Sequence, residues 1–283
     1  MRVDQFESVF RAADKEPYQY ERIDPDRILV VTDLAGDPAA AFMAAARRLL
    51  ATLGDGPNWS ALGNDDYTGV ESLLAKVRAA EPDLIVTYRC LRSDSWKWPY
   101  TLGEHLDVLT QIIECPVVVA PHPEAGRASA HAMENTDSVM AITDHLTGDH
   151  RLINFAARLT QARGTLFLAH IEDERAFEHA INTISKIDSI ETDPAREAIQ
   201  HQLLKEPADY IKSCRAVLKE HDLSISLDAH VGMGHRIAEY RRFITEHEVD
   251  LLVMNTRDDD QLAMHGLAYP LAIGLRETPL LLL

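Results

Sequence analysis

Aromatic residues are scarce in this chain: tryptophan, tyrosine and phenylalanine supply 6% of 283 residues, so the core has to be mostly aliphatic. Basic residues are outnumbered, 28 against 45 acidic, for a formal charge of −17. That balance favours solubility and argues against nucleic acid or an anionic membrane as the main partner. Cysteine is down to three, Cys90, Cys115 and Cys214, without a CxxC spacing, which removes a disulfide framework and a cysteine zinc site. No apolar run approaches the roughly 18–20 residues that span a bilayer. The opening MRVDQFESVFRAADKE lacks the apolar centre of a signal peptide, so a reducing cytoplasm is the expected location. What remains is ordinary: 46% hydrophobic and 26% charged residues, enough for one large domain or two of common size.

One pattern is present twice. RILVVTD (27–33) reads as a buried strand ending in Thr-Asp, and LAGDPAAAFMAAARRLLATLG as a helix capped by Asp37, with Pro38 first and Gly54 as stop. SVMAITD (138–144) repeats the strand, and HLTGDHRLINFAARLTQARG repeats the helix with Asp149 as cap and Gly164 as stop. Helix, turn and apolar strand recur as VESLLAKVRAAEPDLIVTYR (70–89) and IAEYRRFITEHEVDLLVMNT (237–256). Each half then has a glycine thirteen residues before a proline, Gly103 to Pro116 and Gly266 to Pro279, followed by VVVA or LLLL. Strands without polar alternation, joined by helices, are parallel strands covered on both faces. Two such units in tandem are the simplest reading.

The halves are unequal. The second has room for a further strand at GTLFLAHIEDE (164–174), a long helical stretch around 194–220 and another strand at LSISLDAHVG (223–232). The first has only GDGPNWSALGNDDYTG in that place, which leaves a short strand near Trp59–Leu62 and predicts a truncated copy leaning on its partner. The reading is an N-terminal extension over 1–26, a truncated domain over 27–121, a polar linker over 122–137 and a full domain over 138–283.

In their order and repetition, VVTD and AITD, LAHIEDE, DLIV and DLLVM, and the glycine–proline helix resemble the universal stress protein family, as a tandem of two domains. The resemblance implies an α/β fold with parallel sheets, Rossmann-like and related to the adenine nucleotide alpha hydrolases. It also implies an adenine-nucleotide site at the carboxyl ends of the first and fourth strands. ATP-binding members resemble G-x2-G-x9-G-[ST] after the fourth strand, where glycines let backbone amides reach phosphate. Here the first two glycines fall on Asn255 and Asp258 in the second half, with seven residues before Gly266 and Leu267 in place of the hydroxyl. In the first half they fall on Tyr88 and Leu91, with eleven residues before Gly103 and Glu104 after it.

Each lost glycine puts a Cβ where backbone meets phosphate, and a residue held at φ > 0 costs about 1–3 kcal/mol. Asp258, Asp259 and Asp260 would repel bare phosphate by about 4 kcal/mol per unit pair at 4 Å, unless Mg²⁺ bridged them. An exposed acidic turn is the simpler reading of that run. Robust ATP binding is therefore not expected and no cofactor is required; ATP or AMP remains the nucleotide that the resemblance leaves open. By position, the resemblance assigns candidate contacts to Asp144, His170, Gly232, Asn255 and Gly266 in the second half, and to Asp33 and Gly103 in the first.

Asp33 and Asp144 either contact a ligand or cap the next loop. His230 and His235 lie on a strand end and loop in LDAHVGMGHR, where Gly232 and Gly234 are read as shaping a ligand-facing turn; no cysteine or carboxylate stands at metal-ligand spacing from the histidines. Trp96 and Trp98 either fill the space a nucleotide takes in relatives, the favoured reading, or form part of a partner surface. Ser129 and Ser138 are outside any G-x-S-x-G elbow, so no catalytic arrangement stands out. The expected function is regulation or interaction in a stress response, with an unidentified protein partner and a possible homodimer. The alternative is an adenine-nucleotide or small-ligand sensor using the second cleft. VVVA and LLLL should meet, covering strand edges.

Overall fold

A computed structural model describes residues 18–98, 100–126, 128, 131–142, 150–256 and 268–283. The first half runs β1 (Arg27–Val31), α1 (Asp37–Leu49), β2 (Asn58–Leu62), α2 (Val70–Ala80), β3 (Leu84–Tyr88), α3 (Glu104–Ile112) and β4 (Val117–Ala120). The second runs β5 (Ser138–Ile142), α4 (His150–Leu159), β6 (Thr165–Asp173), α5 (Glu174–Ile184) and α6 (Thr192–Glu220). It continues with β7 (Ser226–Gly234), α7 (Arg236–Glu246), β8 (Leu251–Met254), α8 (Ala268–Gly274) and β9 (Leu280–Leu282).

Among the described residues, nine strands share one sheet in the order β2-β1-β3-β4-β9-β8-β5-β6-β7. Read outward from the centre, the halves repeat each other: β4-β3-β1-β2 on one side, β9-β8-β5-β6 on the other, with β7 extra. Pairing inside each half is parallel. The halves join antiparallel, Val117 opposite Leu282, Val118 opposite Leu281 and Val119 opposite Leu280. VVVA and LLLL thus meet as the sequence predicts. Uniformly apolar strands have to be covered on both faces, and β3, β4, β8 and β9 are buried along their whole length.

Helix ends differ from the sequence reading in detail. Gly36, not Asp37, caps α1; its φ of 60° is a conformation that glycine adopts without strain, and no side chain caps the end. α4 ends at Leu159, before Gly164. Gly232 and Gly234 shape no turn, because β6 pairs with β7 through to Asp173 opposite Gly234 and holds both glycines in extended strand. The C-terminal part of α6 buries Tyr210, Ile211, Cys214 and Leu218.

Two segments that read as accessory are anchored. Tyr18 is buried and donates to Asn154 Oδ1 at 2.7 Å, Tyr20 lies against the His221 ring, and Arg158 Nε donates to Asp24 at 3.0 Å. Residues 18–24 therefore strap the first half to helices of the second. Before β5, His131 Nδ1 lies 2.7 Å from the buried Asp250 carboxylate, whose other oxygen accepts from Ser138 N. Burial pushes that carboxyl well above its ordinary range, against the pull of His131.

Candidate functional site

Because β1 and β3 are parallel neighbours, their carboxyl ends bring Thr32-Asp33 against Tyr88 and the loop after it. The Tyr88 hydroxyl donates to Asp33 Oδ1, accepts from Asp33 N at 3.0 Å and lies 2.9 Å from Thr32 Oγ1. Its single proton goes to the carboxylate, so the threonine is the donor in the remaining bond. The second carboxylate oxygen, Oδ2, accepts from Arg92 N at 2.5 Å. Both Asp33 oxygens are thus engaged inside the chain. Burial, followed by the Asp33 bond, raises the Tyr88 pKa, so the hydroxyl stays a donor.

The Arg92 guanidinium donates to the carbonyls of Asn64 and Tyr67 and sits 4.6 Å over the Tyr67 ring. It pins the loop that leads into α2. Burial pushes the Tyr67 hydroxyl up to about 12. Around Tyr88 the rings of Phe42 and His122 stand edge-on at 4.9 and 5.3 Å. Trp96 stacks on His122 at 5.1 Å. Trp98, just after the short 94–97 helical turn, does not share this role: it is 65% exposed.

The loop's backbone also departs from a phosphate grip. The family pattern puts glycines at Tyr88 and Leu91, yet the left-handed residues are Cys90 (φ 59°) and Arg92 (φ 55°). Gly103 begins α3 at φ 96°, and a Cβ there would come 2.6 Å from Cys90 Cα. Packing against Cys90 alone accounts for a glycine at this position. Arg89 points the other way; it is buried and donates to the carbonyls of Ala272 and Leu275 at the end of α8. Burial brings its pKa down to about 10.

These residues do not fit the nucleotide that the family resemblance implies. Each Asp33 oxygen already accepts a hydrogen bond from the chain itself, side chains replace the glycines, and aromatic rings surround Tyr88. Sequence reasoning singled out Asp33, Gly103 and Trp96 here but missed Arg92 and His122. A bulky hydroxylated Tyr88 in a glycine's place, beside a Thr-Asp strand end, was the available signal for the first half's closure.

In the second half, Asp144, Asp258, Asp259, Asp260 and Gly266 lie outside the described residues. Of those described, His170 on β6 is buried, with Nε2 2.8 Å from Glu172 Oε1 and Nδ1 without a hydrogen-bond partner among the described residues. Arg236 Nε donates to Ile171 O at 2.9 Å and Ile171 N donates to the Tyr240 hydroxyl at 3.0 Å, which fixes this strand end. Gly232 sits opposite Ile171 on β7. Asn255 is half-buried just beyond β8. His170, Gly232 and Asn255 therefore share the carboxyl edge of the sheet. His230 is no metal ligand candidate; its ring packs 4.3 Å from Phe243, and burial lowers its pKa. Among the described residues no group of three or more His, Cys, Asp or Glu could hold a metal ion, and no helix is long and apolar enough to cross a membrane.

No family model matches the sequence, and no curated protein matches it. Among solved structures, a universal stress protein from Archaeoglobus fulgidus DSM 4304 is similar at TM-score 0.50 and 14% identity, over 91% of this chain and 85% of that one. The fold is that of a universal stress protein. A functionally unknown protein from Pseudomonas aeruginosa PAO1 is 16% identical, with TM-score 0.49 and 92% of each chain covered. In this universal stress protein fold the first-half cleft is filled by the chain's own Asp33, Tyr88 and Arg92.

Proposed function

We propose that the chain is a tandem universal stress protein acting in the cytoplasm as a regulatory or interaction protein in a stress response, without robust ATP binding. One observation carries the reading: both oxygens of the Asp33 carboxylate accept hydrogen bonds from within the chain, from Tyr88 and Arg92, at the position where the resemblance puts a nucleotide contact. A filled cleft leaves the outer surface, with an unidentified protein or a second copy of the chain, as the route to function. Titration calorimetry with ATP, ADP and AMP, with and without Mg²⁺, tests it. Heats at the level of dilution support the reading, and micromolar ATP binding overturns it.

A second reading is favoured by His170, whose buried Nδ1 lacks a hydrogen-bond partner among the described residues at the second half's strand end. A buried polar atom left unsatisfied costs about 1–3 kcal/mol, which a ligand would recover. On this reading the second cleft senses an adenine nucleotide or another small ligand through Asp144, His170, Gly232, Asn255 and Gly266. AMP binding abolished by His170→Ala but kept in Asp33→Ala would establish it. A dependence on Mg²⁺ lost in Asp258→Ala would give the aspartate run a metal role.

A further inference from the structure

A cavity of about 440 Å³ lies away from both clefts, among segments that lead into strands rather than out of them. The strap before β1 supplies Tyr20 and Arg22, the end of α1 and the turn after it supply Arg48 and Thr52, and the segment before β5 supplies Glu134 and Asn135. The end of α4 adds Arg158, and Leu223 and Ile225 wall the side before β7. Both halves contribute, and seams between packed units are where ligand pockets tend to form; the volume is within their usual range.

The charge is unlike that of the chain as a whole. In a protein of net charge −17, three arginines and one glutamate line this cavity. Arg158 is 12% exposed and held by Asp24 and the Thr52 carbonyl, so it is part of the wall. Arg48 is 49% exposed at the mouth and meets Glu134 at 3.3 Å; Arg22 is 67% exposed and meets Asp24 at 2.7 Å. Exposed pairs of this kind are worth about 0–1 kcal/mol, so an incoming anion can displace them. Two polar atoms among the lining residues, Thr52 Oγ1 and Asn135 Oδ1, are buried without a hydrogen-bond partner among the described residues. The amide oxygen needs a donor, which the anionic oxygens that face the arginines do not supply.

We propose that this cavity binds a small organic anion, with its phosphate or carboxylate on Arg48 and Arg22 and a hydrogen-bond donor reaching Asn135 Oδ1. The body of the ligand rests between Tyr20 and the Leu223–Ile225 wall. Glu134 is the internal competitor, occupying Arg48 when the cavity is free. The site is independent of the nucleotide clefts, so its occupancy does not depend on the function proposed above.

The test is titration of the full chain with 4-aminophenyl phosphate and 4-aminobenzoate, which separate the two anion chemistries, and with phenyl phosphate and benzoate as partners lacking the donor. One-to-one binding by an amino compound, stronger than by its donor-free partner, is expected. Arg48→Glu should weaken it by at least about tenfold, as loss of a charged hydrogen bond does. Glu134→Gln should strengthen it severalfold, and Asp33→Asn should leave it unchanged. The two variants at the mouth have opposite signs, so general damage to folding cannot imitate the pair. No saturable binding by either amino compound at millimolar concentration overturns the proposal, as does binding indifferent to Arg48→Glu or sensitive to Asp33→Asn.

Discussion

Asp33 occupies the position at which the family resemblance puts a base or ribose contact, and the structure spends both its oxygens on Tyr88 and Arg92. Tyr88→Phe keeps the ring packing against Phe42 and His122 while removing the donor. It should lower stability by about 1 kcal/mol, the usual net worth of one such bond, seen as a lower urea midpoint at an unchanged slope. The neighbouring His122, with His105 and His230, has its pKa lowered, with burial as the first cause in each case. Their folded state binds fewer protons than the unfolded one. The stability they contribute is therefore complete above the ordinary value of 6.5 and is lost as pH falls through their lowered values. Urea midpoints should drop as the solution is acidified below about 6.5, and His122→Gln should flatten that slope.

At the level of elements, the strands and most helices were legible because apolar runs without alternation, followed by helical periodicity, leave few other folds open. The strands Arg27–Val31 and Ser138–Ile142, those within DLIV and DLLVM, and the short strand near Trp59 all fall inside the stretches where the sequence reading puts them. The cleft chemistry was less legible, because Arg92 and His122 enter it through left-handed backbone and a distant loop that no periodicity marks. Helix caps were misread for a similar reason: Gly36 and Asp37 both suit the start of α1, and only the backbone angle decides. Two elements carry sharp expectations. Gly103→Ala, at positive φ against Cys90 backbone, should cost about 2–3 kcal/mol in chemical denaturation. Arg89→Met, which leaves the last carbonyls of α8 without their donor, should cost about 2–4 kcal/mol.

Across the whole molecule, a single sheet runs through both halves, with residues 18–24 strapping one to the other. Calorimetric unfolding should show one transition, since the seam between the halves lies within one chain and one sheet. Leu281→Asp, a buried charge opposite Val118 at the centre of the sheet, should lower that single midpoint steeply rather than split it in two. Two separated transitions would show that the halves fold independently.

The antiparallel join of β4 and β9 has one more consequence. In a symmetric pair of identical subunits every substitution occurs twice, so a change that closes one cleft closes both. Here the two partners of that join are encoded by different stretches of one chain, and each substitution occurs once. Tyr88 and Trp96 can block the first cleft while the second follows its own course. The covalent link turns a structural duplicate into a division of labour, in which one half can become scaffold while the other stays free to bind.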